Sequence, residues 1–213
     1  MKSILALIAG ALGLAAVAAV TIPAATTSPA AAAGTTAKTI LAGGCFWCLE
    51  HDFRQLPGIV EAVSGYSGGG RPDANYDNYH DTDAQYPVPH TEVVEVTYDT
   101  TKLSYDQVLN YFFRHVDATD GGGQFCDRGP AYRPVIYFNN EDEQKKAEAA
   151  KAWAGKALGQ PIAVDVLKSG KFWPAEEYHQ DYAEKNPVRY KFYRWNCGRD
   201  QRVKELWSMV PTN

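Results

Sequence analysis

Residues Lys38–Leu56 read KTILAGGCFWCLEHDFRQL, and this stretch decides the architecture. Lys38 to Ala42 has the apolar character of a short strand, and Gly43 and Gly44 break it. From Cys45 to Leu56 the period changes: Leu49, Phe53 and Leu56 fall on one helical stripe, and Pro57-Gly58 ends the helix. A strand that feeds a helix through two glycines leaves Cys45 at the helix start. Free amide hydrogens and the helix dipole favour a thiolate there, so a lowered Cys45 pKa is expected. Cys48 follows one turn later, within disulfide range. The same spacing also suits two inert buried helix cysteines; the glycines before the motif and Phe46-Trp47 within it favour a reactive pair.

Outward from this segment the periods alternate. Ile59 to Tyr66 reads as a strand. Residues 67–91 form a long polar loop with several Pro and Gly clusters, and loops of this length inside a compact domain are usually functional. Glu92 to Tyr98 alternates as a strand. Ser104 to His115 is a helix, with a Ser104/Gln107 capping box and Tyr105, Val108, Leu109, Phe112 and Phe113 at helical spacing. A glycine-rich loop spans 119–131, and Arg133 to Phe138 reads as a strand. Glu141 to Leu158 is helical and stops at Gly159. Ile162 to Leu167 is a further strand, and Asp200 to Val210 a final helix. The expected fold is an α/β (α+β) two-layer sandwich, a mixed sheet with packed helices around a ferredoxin-like core. It forms one catalytic domain over residues 38–210.

The first 33 residues follow another logic. Lys2 precedes an apolar run from Ile4 to Val20, and Pro23 to Gly34 is rich in small residues. This is the order of a secretory signal with cleavage near Ala33, which would place the mature protein in the periplasm or outside the cell. An uncleaved anchor is the alternative. No Cys follows the apolar run, which excludes lipid attachment there. Composition is that of a globular chain, 45% hydrophobic and 22% charged. Net charge is −4, with no basic block, so neither nucleic acid nor a membrane surface is an expected partner. Cys45, Cys48, Cys126 and Cys197 make an even set, which in an exported protein suggests two disulfides with three possible pairings. His51, His80, His90 and His115 show no zinc-ligand spacing, so no metal or other cofactor is expected.

From about Thr39 to the 180s the chain resembles peptide methionine sulfoxide reductase A. The most specific mark is Gly44-Cys45-Phe46-Trp47. Ser64 to Gly69 resembles the family's glycine-tyrosine turn, and Tyr76 an active-site tyrosine. His90-Thr91-Glu92-Val93-Val94 carries the family's essential Glu at Glu92. Gln124 to Gly129 with Tyr132-Arg133 carries its active-site Asp at Asp127 and second tyrosine at Tyr132. Glu177 to Gln180 and Lys185 to Pro187 match a late segment, and His179 there suits a packing role as well as a site role. Two features depart. Cys48 stands where the family commonly has Gly, and the tail has Trp195-Asn196-Cys197-Gly198 followed by a helix in place of a glycine-rich, Cys-bearing tail.

The resemblance implies a monomeric enzyme acting on the S epimer of oxidised methionine, free or in proteins. The residue types suit that chemistry. Thiolate attack on the sulfoxide sulfur drives charge onto oxygen, where Tyr76 and Tyr132 can donate hydrogen bonds and Glu92, if burial keeps it neutral, can supply a proton. Phe46 and Trp47 offer an apolar wall for the methyl group. Cys45 becomes a sulfenic acid, a second thiol condenses with it, and a thioredoxin-like dithiol reduces the disulfide. Cys48 is the expected resolving thiol by proximity, with Cys197 as the alternative; Cys126 and Cys197 then remain to pair. Two other readings compete. An exported thioredoxin-like CxxC disulfide oxidoreductase would need neither Glu92 nor Tyr132, and a Cu(I)-binding module would not explain Trp47.

Overall fold

The structure is a computed structural model that describes residues 35–208 and 210; the apolar N-terminal segment lies outside them. Strand β1, Thr36–Ala42, sits between β3, Thr91–Asp99, and β6, Val135–Phe138, antiparallel to both. Strand β2, Ile59–Ser67, pairs antiparallel with the far side of β3 and brings Tyr66 opposite Glu92. Strand β7, Asp165–Lys168, runs parallel to β6, and the short β8, Trp173–Pro174, closes the edge beside β2. The order β7-β6-β1-β3-β2-β8 makes a mixed sheet, with helices packed on it as expected.

Strand periodicity sorts the core onto two faces. Leu41, Val94, Val96 and Tyr98 enter the larger cluster with Leu49 and Phe53 of α1, Phe46–Arg54. The intervening Ile40, Ala42, Val93, Val135 and Tyr137 form a smaller cluster on the opposite face. Glu92 lies two residues before Val94, so the same period turns its carboxyl toward α1. Helix α2, Tyr105–Phe113, has both halves of its Ser104/Gln107 capping box. Helix α3, Glu141–Leu158, is capped by the Asn140 side chain and ends at Gly159 in the left-handed region.

The short β8 and the brief elements at Gly123–Gln124, Asp127–Arg128 and Tyr182–Lys185 were not expected, and two longer elements differ from the sequence expectation in ways that matter here. Strand β7 begins at Asp165, not Ile162, because β6 begins only at Val135, after Pro134, which has no N–H for the ladder. Pro187–Asn196 is a helix that periodicity did not reveal. Its start is a proline in the first helical turn, a favoured position. Its pattern was hidden because Val188, Phe192 and Trp195 are exposed while Tyr190 is buried, so apolar residues occupy both faces. After the short α4, Tyr182–Lys185, this helix is α5, and α6 follows at Arg199–Trp207. Trp207 anchors α6 by donating to the Phe113 carbonyl at 3.1 Å and stacking on Trp153. Cys126 and Cys197 are joined in a disulfide across 71 residues of chain, tying the end of α5 to the hairpin of β4, Gly123–Gln124, and β5, Asp127–Arg128. Among the described residues no helix is long and apolar enough to cross a membrane.

Candidate active site

The turn between β1 and α1 places the sulfur. Gly44 adopts φ +79°, and a Cβ there would come within 2.5 Å of the Gln124 side chain, so only glycine fits. Cys45 is the N-cap of α1 and uses no side-chain hydrogen bond to cap it. The buried Arg199 guanidinium braces the turn from α6 by donating to the carbonyls of Gly43 at 3.1 Å and His115 at 2.8 Å.

Cys45, Phe46, Trp47, Tyr76, Glu92, Asp127 and Tyr132 all line one cleft of about 130 Å3. These are the residues that the sequence singled out, apart from Cys48 and Cys197. Tyr193, which it did not, completes the lining. Cys48 lies behind Cys45, buried and free, and Cys197 is bonded to Cys126.

Glu92 is 4% exposed. Its Oε2 accepts the Phe46 N–H at 2.9 Å and its Oε1 the Tyr79 hydroxyl at 3.0 Å. Burial pushes its pKa up to about 8, partly opposed by these two hydrogen bonds and reinforced by the charges of Asp127 and Cys48. At neutral pH the carboxyl therefore holds a proton.

The Cys45 thiol behaves opposite to the expectation from its helix-terminal position. Its pKa is pushed well above the usual thiol range, first by burial, then by the hydrogen bond and charge of Cys48 and by the charge of Glu92. The nearby Tyr193 hydroxyl opposes this. The dipole of a nine-residue helix does not outweigh desolvation combined with two neighbouring acids. Cys48 moves the other way. The hydrogen bond from Cys45 lowers its pKa, burial opposes, and the positive charges of Arg199 and Arg194 add to the lowering. Those arginines also pair with Asp52, one turn along α1, at 3.6 and 2.8 Å.

The aromatic wall is fixed by the C-terminal segments. Trp47 stacks on Tyr182 with centroids 3.7 Å apart and donates through Nε1 to His179 Nδ1 at 3.0 Å. His179 is thus a support for the indole. Phe46 is buried against Tyr66 and His179. Tyr193 meets Trp47 edge-on and donates to the Asp127 carboxylate. The disulfide holds together the elements that carry these two, since Cys126 precedes Asp127 and Cys197 lies one turn after Tyr193. Burial raises the Asp127 pKa, with Tyr193 and Arg199 opposing.

Tyr76 stands at the cleft mouth, 43% exposed, its backbone N–H bonded to Glu176. Tyr79, three residues on, is buried and bonded to both Glu92 and Tyr132. Its only advance signal was membership of the long polar loop. Tyr193 gave no signal, because it lies in the helix that periodicity missed.

A family model described as peptide methionine sulfoxide reductase matches residues 37–210. Peptide methionine sulfoxide reductase MsrA 2 of Rhizobium meliloti is 46% identical over 169 residues, 79% of this chain and 82% of that one. The MsrA protein of Bacillus subtilis is 38% identical over 169 residues, 78% of this chain and 93% of its own. Among solved structures, Mxr1 from Saccharomyces cerevisiae in reduced form superposes with TM-score 0.65 at 30% identity, over 72% of this chain and 87% of that one. Methionine sulfoxide reductase A of Corynebacterium diphtheriae gives TM-score 0.63 at 29% identity, over 73% and 77%.

Proposed function

The chain belongs to the peptide methionine sulfoxide reductase family and reduces methionine sulfoxide; from that premise we propose that Cys45 is the attacking sulfur, Glu92 the proton source and Cys48 the resolving thiol. One observation carries the reading: a free cysteine and a buried carboxyl, whose pKa burial pushes up to about 8, line the same small cleft. The thiol alone would leave the sulfoxide oxygen without a proton, and the acid alone would leave no electron pair for its sulfur.

In the first step the Cys45 sulfur attacks the sulfoxide sulfur while Glu92 gives its proton to the oxygen. Tyr76 and Tyr132 donate hydrogen bonds to that oxygen, and Trp47 and Phe46 hold the methyl group. Oxygen transfers to Cys45, methionine leaves, and the thiol proton of Cys45 restores Glu92. The balance is Cys45–SH plus sulfoxide to Cys45–SOH plus thioether, with no net proton. In the second step Cys48, whose ionisation the neighbouring arginines ease, attacks the sulfenic sulfur as the thiolate. A Cys45–Cys48 disulfide forms and water leaves, which consumes one proton. A thioredoxin-like dithiol then reduces the disulfide.

Cys48 is favoured over Cys197 because it shares a hydrogen bond with Cys45, is held toward the thiolate by two arginines, and carries no disulfide. Export is part of the reading, and rests on Lys2, the apolar run Ile4–Val20 and the small-residue stretch after it. So is action as a monomer on the S epimer.

Two measurements test this. With dithiothreitol and separated epimers, methionine is expected from the S-sulfoxide alone; equal rates on both would contradict the stereochemical assignment. Cys48→Ser is expected to release one methionine per enzyme at an undiminished rate. Its steady-state turnover with a thioredoxin-type donor should fall by about tenfold or more, because the neighbouring thiol's proximity is lost. Full cycling through a Cys45–Cys197 disulfide, seen by peptide mapping, would show that Cys197 resolves.

A further inference from the structure

The loop between β2 and β3 brings two tyrosines to the cleft, and the one that grips the carboxyl is not the one the family resemblance singles out. The Tyr79 hydroxyl lies 3.0 Å from Glu92 Oε1 and 3.0 Å from the Tyr132 hydroxyl. Its side chain cannot swing away easily. The ring is 4% exposed and stacks on Tyr66 with centroids 4.8 Å apart, and its backbone carbonyl accepts the His90 N–H at 2.8 Å. His90 is itself fixed to both ends of the loop start, with Nδ1 accepting the Gly69 N–H at 3.1 Å and Nε2 2.8 Å from the Arg71 carbonyl. Tyr76 has no comparable hold on Glu92, since its anchor is a backbone bond to Glu176.

We propose that Tyr79 is a positioning residue for Glu92 and the link that carries protons between Glu92 and Tyr132. The inference rests on the reading of Glu92 as proton source. Phe46 N–H occupies Oε2, which leaves Oε1 as the oxygen that exchanges its proton, and Tyr79 is the group on that oxygen. A phenol accepts one hydrogen bond while donating another, so the three groups form a continuous chain that can run either way. With the proton on Oε1, Glu92 donates to Tyr79 and Tyr79 to Tyr132, which leaves the Tyr132 hydrogen for the sulfoxide oxygen; with Glu92 ionised the chain reverses. Tyr132 lines both the cleft and an adjoining groove of about 430 Å3 that His80 and Arg128 also border. The chain thus runs from the buried acid to an open surface. Formation of the Cys45–Cys48 disulfide consumes one proton, which water in the groove can supply through Tyr132 and Tyr79 to Glu92. Each hydroxyl takes one proton and gives one, so neither tyrosine changes charge.

Glu92 is faced by Cys45 and Cys48 from α1, Asp127 from β5, and Tyr66, Tyr76 and Tyr132, besides Tyr79. Of these, Tyr79 is the side chain whose hydrogen bond holds the Glu92 pKa down. Tyr79→Phe keeps the ring and its stacking and removes only the hydroxyl. Its kcat is expected to fall by about tenfold to a hundredfold with KM changed less than about twofold, the scale of a misaligned proton donor. The alkaline limb of kcat/KM, set by Glu92, should move to higher pH. Tyr76→Phe should leave that limb in place, and so should Tyr132→Phe, which lowers kcat but spares the Tyr79–Glu92 bond. A Tyr79→Phe enzyme with unchanged kcat and limb overturns the inference, as does an equal shift in Tyr76→Phe. If Tyr79→Phe does not fold, Tyr132→Phe decides: a limb that moves, or a kcat that does not fall, overturns it. A wild-type profile with no alkaline limb near pH 8 overturns the Glu92 reading too, whereas a wild-type limb that Tyr79→Phe leaves unmoved removes Tyr79 alone.

Discussion

Cys45→Ser is expected to abolish sulfoxide reduction and to leave the fold intact or slightly more stable. The hydroxyl has the shape of the thiol but not its nucleophilicity, and no other free thiol lines the cleft among the described residues. Cys48 is buried behind it, so it has no direct approach to a bound sulfoxide. Serine is also a better helix N-cap than cysteine. Cys45 occupies that position without capping, so a serine that bonds an amide of the first turn would add about 1 kcal/mol. The check is methionine release over a long incubation with excess dithiothreitol, alongside a thermal unfolding curve. Release above the background of thiol alone, in a folded variant, would remove Cys45 from the mechanism.

Glu92→Gln is expected to slow the first turnover by about two orders of magnitude or more, the usual scale for loss of a general acid. It should also erase the alkaline limb. The sign follows from the protonation state required. In the proposed mechanism Glu92 acts in its neutral form, and burial pushes its pKa up to about 8, so wild-type activity is expected to be full below that pH and to fall above it. The substitution should affect stability in the opposite sense to activity, making the fold more stable at neutral pH. A carboxyl whose folded pKa is raised from the ordinary range to about 8 contributes most below the unfolded pKa, and that contribution is lost as pH rises through 8. At pH 7 suppressing its ionisation costs on the order of 3 kcal/mol, and glutamine has no ionisation to suppress. The amide oxygen still accepts the Phe46 N–H and the amide nitrogen donates to the Tyr79 oxygen. Single-turnover rates across pH 6–10, with melting curves at the same pH values, test both halves. An unchanged first-turnover rate would mean that the proton comes from elsewhere.

Sequence and tertiary structure determined different things here, and the division follows from range. A strand, two glycines and a helix within twenty residues are legible because alternation and the helical stripe are properties of neighbours along the chain, and they alone put Cys45 at a helix start. The alternation of β3 likewise turned Glu92 to the face of Val94 and Val96, and the Ser104/Gln107 box capped α2 as written. Where local signals conflicted, as in α5 with apolar residues on both faces, the reading failed. The charge states were not legible at all. A helix terminus argues for a thiolate, yet the Cys45 pKa is pushed up, because burial, Cys48 one turn on and Glu92 from β3 outweigh the dipole. Glu92 is bonded to a backbone 46 residues away and Trp47 to a histidine 132 residues away. Which tyrosine grips Glu92 depends on the same long-range packing, whereas the Cys126–Cys197 pair is the one left over in the sequence once Cys45 and Cys48 are taken together. Desolvation and hydrogen-bond partners act over a few ångströms in space, and the chain supplies those partners only after it has folded.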